Sequence, residues 1–227
     1  MQTTNQILLT IHVIAGSISL ILFWIPAFAR KANKLHRVTG KWYTYMMWVV
    51  VITAALLSIQ NALQGRMYTA IFLGFLSLIT ANPLWYGVVI LKNKKELGIS
   101  YLNTYKAINL LVVVFGAAML IYGLFYVDEG IRYLMIFFGV LGVISIGRVI
   151  KSFRINPSDT EWFKQHYSGM ITSGIAAYTA FFAFGGRTFF SQILSNELQL
   201  IPWIAPTLIG VIAMRMLDRK YAKKAVA

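Results

Sequence analysis

Between Ile7 and Phe28 the chain runs for 22 residues without a charged side chain. At 1.5 Å rise per residue a helix of that length covers about 33 Å, enough to cross a hydrocarbon core of roughly 30 Å. A segment inside a bilayer has no water to satisfy its backbone, so it must be a helix or part of a closed barrel, and a continuous apolar run of this length points to the helix. The stretch contains one histidine, His12, and leads into Leu35-His36-Arg37-Val38-Thr39-Gly40-Lys41. The first span and its basic exit therefore carry two of the three histidines of the chain.

Similar runs recur. Hydrophobic residues make up 58% of the 227 positions and charged residues 12%, about half the share of an average soluble domain. The pattern predicts an all-α, polytopic membrane helical bundle of seven transmembrane helices in a single integral membrane domain. The expected spans are Ile7 to Phe28, Tyr43 to Leu63, Tyr68 to Leu91, Lys106 to Val127, Arg132 to Ile150, Phe163 to Phe184 and Leu200 to Leu217. Asn82-Pro83 falls inside the third, where a missing backbone donor predicts a kink. The first span lacks the basic leading region of a signal peptide and is expected to be retained.

The net charge of +14 would suggest nucleic acid in a soluble protein. Here 18 of the 21 basic residues fall in the loops on one side, and only Arg66, Arg132 and Arg187 fall on the other. By the positive-inside rule the N-terminus is outside and the C-terminus inside the cell membrane. The charge is thereby explained as a topology signal with some attraction to anionic lipid, and no nucleic-acid partner is expected. The expected partners are the lipid bilayer and a second copy of the chain or another membrane protein.

Cysteine is absent, which excludes thiol chemistry and thiolate-held clusters. None of the seven acidic residues lies in mid-membrane, which argues against a carboxylate-driven pump. There is no hydrolase triad spacing, no phosphate-binding loop and no dinucleotide fingerprint, so no catalytic set is assigned. Attention falls on the histidines. His12 lies near the outer end of the first span, with Gly16 one turn on for close packing; its alternative roles are functional group and neutral ring bonded to a neighbour. His36 and His166 both lie near the inner interface, at similar depth. Because the first helix holds His12 about 36 Å from His36, any two-histidine site must be His36 with His166.

Such a pair could hold haem b, with Arg37 and Lys41 meeting its propionates, or border a quinone headgroup. A bare metal ion would find a thin ligand set. That redox module is the alternative; the first expectation is a small non-catalytic membrane bundle acting as a carrier or assembly partner, with structural histidines. The run His12-x-x-x-Gly16, His36-Arg37-x-x-Gly40-Lys41-x-Tyr43, followed by Met46 and Met47, resembles the N-terminal signature of a bacterial multi-span family catalogued as a predicted membrane domain without assigned activity. His166-Tyr167-Ser168-Gly169-Met170, leading to Tyr178-Thr179-Ala180-Phe181, is similar to a later helix of that family. The resemblance implies that His12, His36, Arg37, Gly40 and His166 are the positions to examine. Asn82 is a further candidate as a polar residue within a span.

Overall fold

The computed structural model describes residues 2–127, 129–158, 160–185 and 201–225. Among them every regular element is helical and no strand occurs. The helices are α1 (Gln2–Phe28), α2 (Lys34–Leu63), α3 (Met67–Val89), α4 (Ile99–Phe125), α5 (Glu129–Ile144), α6 (Ile146–Ser152), α7 (Trp162–Ala180) and α8 (Ile201–Ala225). A 3-10 turn, Ile90–Lys92, closes α3, and a π turn, Phe181–Gly185, closes α7. With α5 and α6 taken as one broken helix, this is the expected bundle of seven helices. Arg187 and Leu200 lie outside the described residues.

Five segments are long and apolar enough to cross a membrane: Asn5–Phe28, Lys34–Leu63, Met67–Lys92, Ile99–Phe125 and Arg132–Ser152. They leave large apolar side chains uncovered, among them Ile21, Leu63, Ile99 and Phe125. In water such a surface would drive aggregation, whereas lipid is an equivalent solvent for it. The protein is a membrane protein. Helix α8 carries five basic residues, Arg215, Arg219, Lys220, Lys223 and Lys224, and α7 opens with Lys164, Gln165 and His166.

Several boundaries differ from the sequence expectation. The second helix begins at Lys34, nine residues before Tyr43, so His36 and Arg37 belong to its first turns and not to a loop. The cause is local: Asn33 caps the helix, its side-chain Oδ1 accepting the His36 N–H at 2.7 Å. Likewise α4 starts at Ile99 and not Lys106, and α8 continues past Leu217 to Ala225. Charged turns can extend a helix beyond the apolar core because helix formation needs no hydrophobic side chain. The fifth span is interrupted at Ser145, whose N–H turns to the Gly142 carbonyl at 3.1 Å. Helix α3 passes through Pro83 without a break in its assignment.

Helix packing defines two halves. Helix α1 packs on α2 and α7, and α3 packs on the same two, so α1, α2, α3 and α7 form a four-helix ring with α2 and α7 on one diagonal. Helix α4 lies against α3 and carries α5 and α6, while α8 lies against α7. The α3–α7 contact is close: a Cβ placed on Gly169 would lie 2.6 Å from Gly87 Cα. The α4–α5 contact is as close, with 2.6 Å between a Cβ on Gly116 and Gly142 Cα. Around it Phe72, Phe75, Val112, Met119, Met135 and Phe138 form a wholly apolar core. At the opposite end of α2, Gly65 takes φ +75°, a left-handed turn that glycine adopts without steric cost, and the chain reverses into α3.

Candidate functional site

The long side chains of α2 and α7 meet along the diagonal of the four-helix ring. In α2, His36, Gly40, Tyr43 and Met47 follow one another at three- and four-residue steps and therefore share a face. In α7, His166, Met170 and Ser173 do the same. The result is a ladder across the bundle: His36 stands edge-on to His166 with ring centres 6.4 Å apart, and deeper in, Tyr43 and Ser173 share a hydrogen bond of 2.8 Å. Tyr43, Met47 and Leu84 are buried around that second rung, with Phe23 and Met170 packed on them.

Each ring is held by one nitrogen. His36 Nδ1 lies 2.9 Å from the Pro26 carbonyl and His166 Nδ1 lies 2.7 Å from the Gly87 carbonyl. A carbonyl oxygen only accepts, so both Nδ1 atoms must carry the proton, and each neutral ring keeps its lone pair at Nε2. Both acceptors belong to last helical turns, Pro26 in α1 and Gly87 in α3, where carbonyls lack their usual i+4 donor. These turns also carry the negative ends of their helix dipoles. Lys31 adds to the same cap, donating from Nζ to the carbonyls of Pro26 at 3.1 Å and Ala27 at 2.9 Å. Burial and, after it, the neighbouring Lys220 ammonium hold Lys31 below the ordinary lysine range.

The other sequence candidates separate from this pair. Arg37 and Lys41 sit one turn apart on an exposed face of α2, about 100° and about 140° round from His36. His12 bonds through Nδ1 to the Thr53 hydroxyl at 2.9 Å, and Thr53 in turn donates to the Val49 carbonyl at 2.7 Å. That places His12 level with Thr53, about 26 Å along α2 from His36, in the role of a ring bonded to a neighbour. Gly16 and Gly40 are not close crossings: a Cβ on either meets its nearest atom at 3.9 Å, on Val50 and Pro26 respectively. The packing role expected of Gly16 is taken by Gly87 and Gly169. Asn82 is buried, donates from Nδ2 to Asn109 Oδ1 at 3.1 Å, and leaves its own Oδ1 without a partner among the described residues.

Sequence reasoning missed the Pro26 and Gly87 carbonyls, because a backbone acceptor has no residue signature. Gly169 had one: with Ser173 it forms a small-x-x-x-small step on the face that meets α3.

A bare transition metal needs four or more donors, and among the described residues no three His, Cys, Asp or Glu side chains converge. Haem iron asks the protein for only two, since the macrocycle supplies the rest. His36 and His166 are two such donors, with ring centres 6.4 Å apart and each Nδ1 already bonded to a carbonyl. No family model, curated protein or solved structure matches this chain.

Proposed function

We propose that the chain is an electron carrier of the cell's cytoplasmic membrane in which His36 and His166 would hold one haem b. The observation that carries this reading is the pairing itself: two rings from opposite corners of a four-helix ring, each oriented by an Nδ1–H bond to a backbone carbonyl, with Nε2 left as lone pair. Fixing one ring nitrogen so that the other can ligate is the usual arrangement of metal-binding histidines. Bound haem would supply one-electron chemistry; the chain's part is to set the ligand tautomers and hold the four helix ends together.

Optical spectra of protein purified in mild detergent from haem-replete cells test this. Reduction with dithionite should give sharp α and β bands, lost in His36→Ala and in His166→Ala and kept in His12→Ala. A colourless preparation, or bands that survive both inner substitutions, would sink the assignment.

A second reading is favoured by a separate fact: each Nδ1 bond also ties two helices, α2 to α1 and α7 to α3. On that reading the bundle is a non-catalytic assembly partner and the histidines are clamps. It expects colourless protein whose melting temperature falls in both inner variants.

The orientation proposed with either role places the pair on the cytoplasmic side. Reporter fusions after Lys95 and at the C-terminus should both report cytoplasm, and an outside signal from either would reverse it.

A further inference from the structure

On the face of α7 turned toward α8 lies a cavity of about 460 Å³, within the size range of small-ligand sites. Four aromatic rings wall it: Trp162, Phe163, Tyr167 and Tyr221. Phe163 meets Tyr221 edge-to-face at 4.7 Å and Tyr167 at 5.4 Å, so three of these rings form one rigid wall. Two carboxylates, Glu161 and Asp218, and one ammonium, Lys164, complete the lining. Lys164 is spent on Glu161, at 3.5 Å, and Asp218 accepts the Tyr167 hydroxyl. Among the lining side chains themselves, carboxylates outnumber ammonium groups two to one.

That combination selects a cation with an apolar skin. Ring faces attract ammonium groups, and a carboxylate close by strengthens the attraction in a partly desolvated site. The protein's own side chains display the preference: Lys94 Nζ stands 4.5 Å over the Trp162 ring and Lys220 Nζ 5.9 Å over the Tyr221 ring. Neither lysine lines the cavity. A hydrated inorganic cation would gain little from four rings, whereas an alkylammonium can place its methyl or methylene groups against them.

We infer that the cavity between α7 and α8 binds a small organic ammonium cation, held against Phe163, Tyr167 and Tyr221 with Asp218 as its counter-ion. The site is independent of the histidine pair and of any haem. Its cation could reach it as the amine headgroup of a zwitterionic lipid or as a free amine from the aqueous side.

Calorimetric titration of the full chain in detergent with tetramethylammonium chloride, against sodium chloride at equal ionic strength, tests the inference. Saturable binding should appear only with the organic cation. Asp218→Asn should weaken it about tenfold, the equivalent of ~1.4 kcal/mol. Tyr221→Leu should weaken it similarly, and Tyr221→Phe should restore it. Tyr167→Phe separates a ligand site from an architectural bond, since it frees the Asp218 carboxylate without removing its charge and should leave binding equal or tighter. Repeating the titration in nanodiscs distinguishes the sources: phosphatidylethanolamine added to phosphatidylglycerol should compete with tetramethylammonium if lipid is the occupant, and should leave it unchanged if a free amine is. Absence of saturation, an unaffected Asp218→Asn variant, or loss of binding in Tyr167→Phe equal to that in Asp218→Asn would overturn the proposal.

Discussion

Two helix crossings in this bundle are equally close, and a histidine is bonded at only one of them. Where α4 meets α5, Gly116 and Gly142 let the backbones touch, and everything around them is apolar, including the Phe75 ring against Gly142. Where α3 meets α7, Gly87 and Gly169 do the same, but the contact falls in the last turn of α3. The Gly142 carbonyl is met by the Ser145 N–H of its own chain turn, whereas the Gly87 carbonyl is met by an imidazole from another helix. Close approach by small residues is therefore a packing device in both places. It becomes a site only where a helix end leaves an acceptor exposed to a side chain able to donate.

The largest effect that could break this comparison comes from filling the two crossings. In Gly169→Val the new Cβ would stand 2.6 Å from Gly87 Cα and 2.7 Å from the Pro83 carbonyl oxygen, both backbone atoms that cannot swing aside. We expect a loss of about 3 kcal/mol in denaturant titrations, and loss of the reduced haem bands as His166 is carried away from Gly87. Gly142→Val meets Gly116 Cα at 2.6 Å and should destabilise by a similar amount, yet leave the bands of the folded fraction in place. Bands that persist in the first variant, or vanish from folded protein in the second, would erase the distinction between the two crossings.

A smaller effect sharpens the contrast between the inner pair and the outer histidine. Thr53→Val removes the only hydroxyl bonded to the His12 ring among the described residues, leaving Nδ1–H without its acceptor. The cost should be about 1 kcal/mol, in line with single interhelical hydrogen bonds in membranes, and spectra should be unchanged. A spectral change would mean that His12 communicates with the inner pair. The smallest effect is Gly40→Ala: with 3.9 Å to Pro26 Cβ the methyl fits, and the gain in helix propensity should raise stability by about 0.5 kcal/mol. A marked loss there would show that the α1–α2 contact beside His36 is tighter than its geometry implies.

What could be read beforehand follows the reach of the forces involved. Apolar runs announce helices because the bilayer acts on each segment separately, so five of the expected spans are matched by long apolar helices. The helix starts were legible less well. The uncharged run of the second span opens only after Lys41, whereas the Asn33 cap starts the helix at Lys34, nine residues before Tyr43. The pairing of His36 with His166 was accessible only by elimination, from the length of α1. The α7–α8 hollow was not legible at all, since Tyr167 and Asp218 are 51 residues apart and nothing in either segment names the other.

The amino-acid sequence by itself determined that this chain is a membrane-spanning helical bundle, and that His12 and His36 stand far apart. Both are consequences of helix rise and hydropathy, which act along one helix at a time. Only the tertiary structure decided that His36 and His166 lie on one diagonal with 6.4 Å between their ring centres, and that each is oriented by a carbonyl at a helix end. That depends on which helices are neighbours and on the rotation of each about its axis. Those are set by the summed packing of small residues such as Gly87 and Gly169 against partners distant in the chain, where no local pattern can record them.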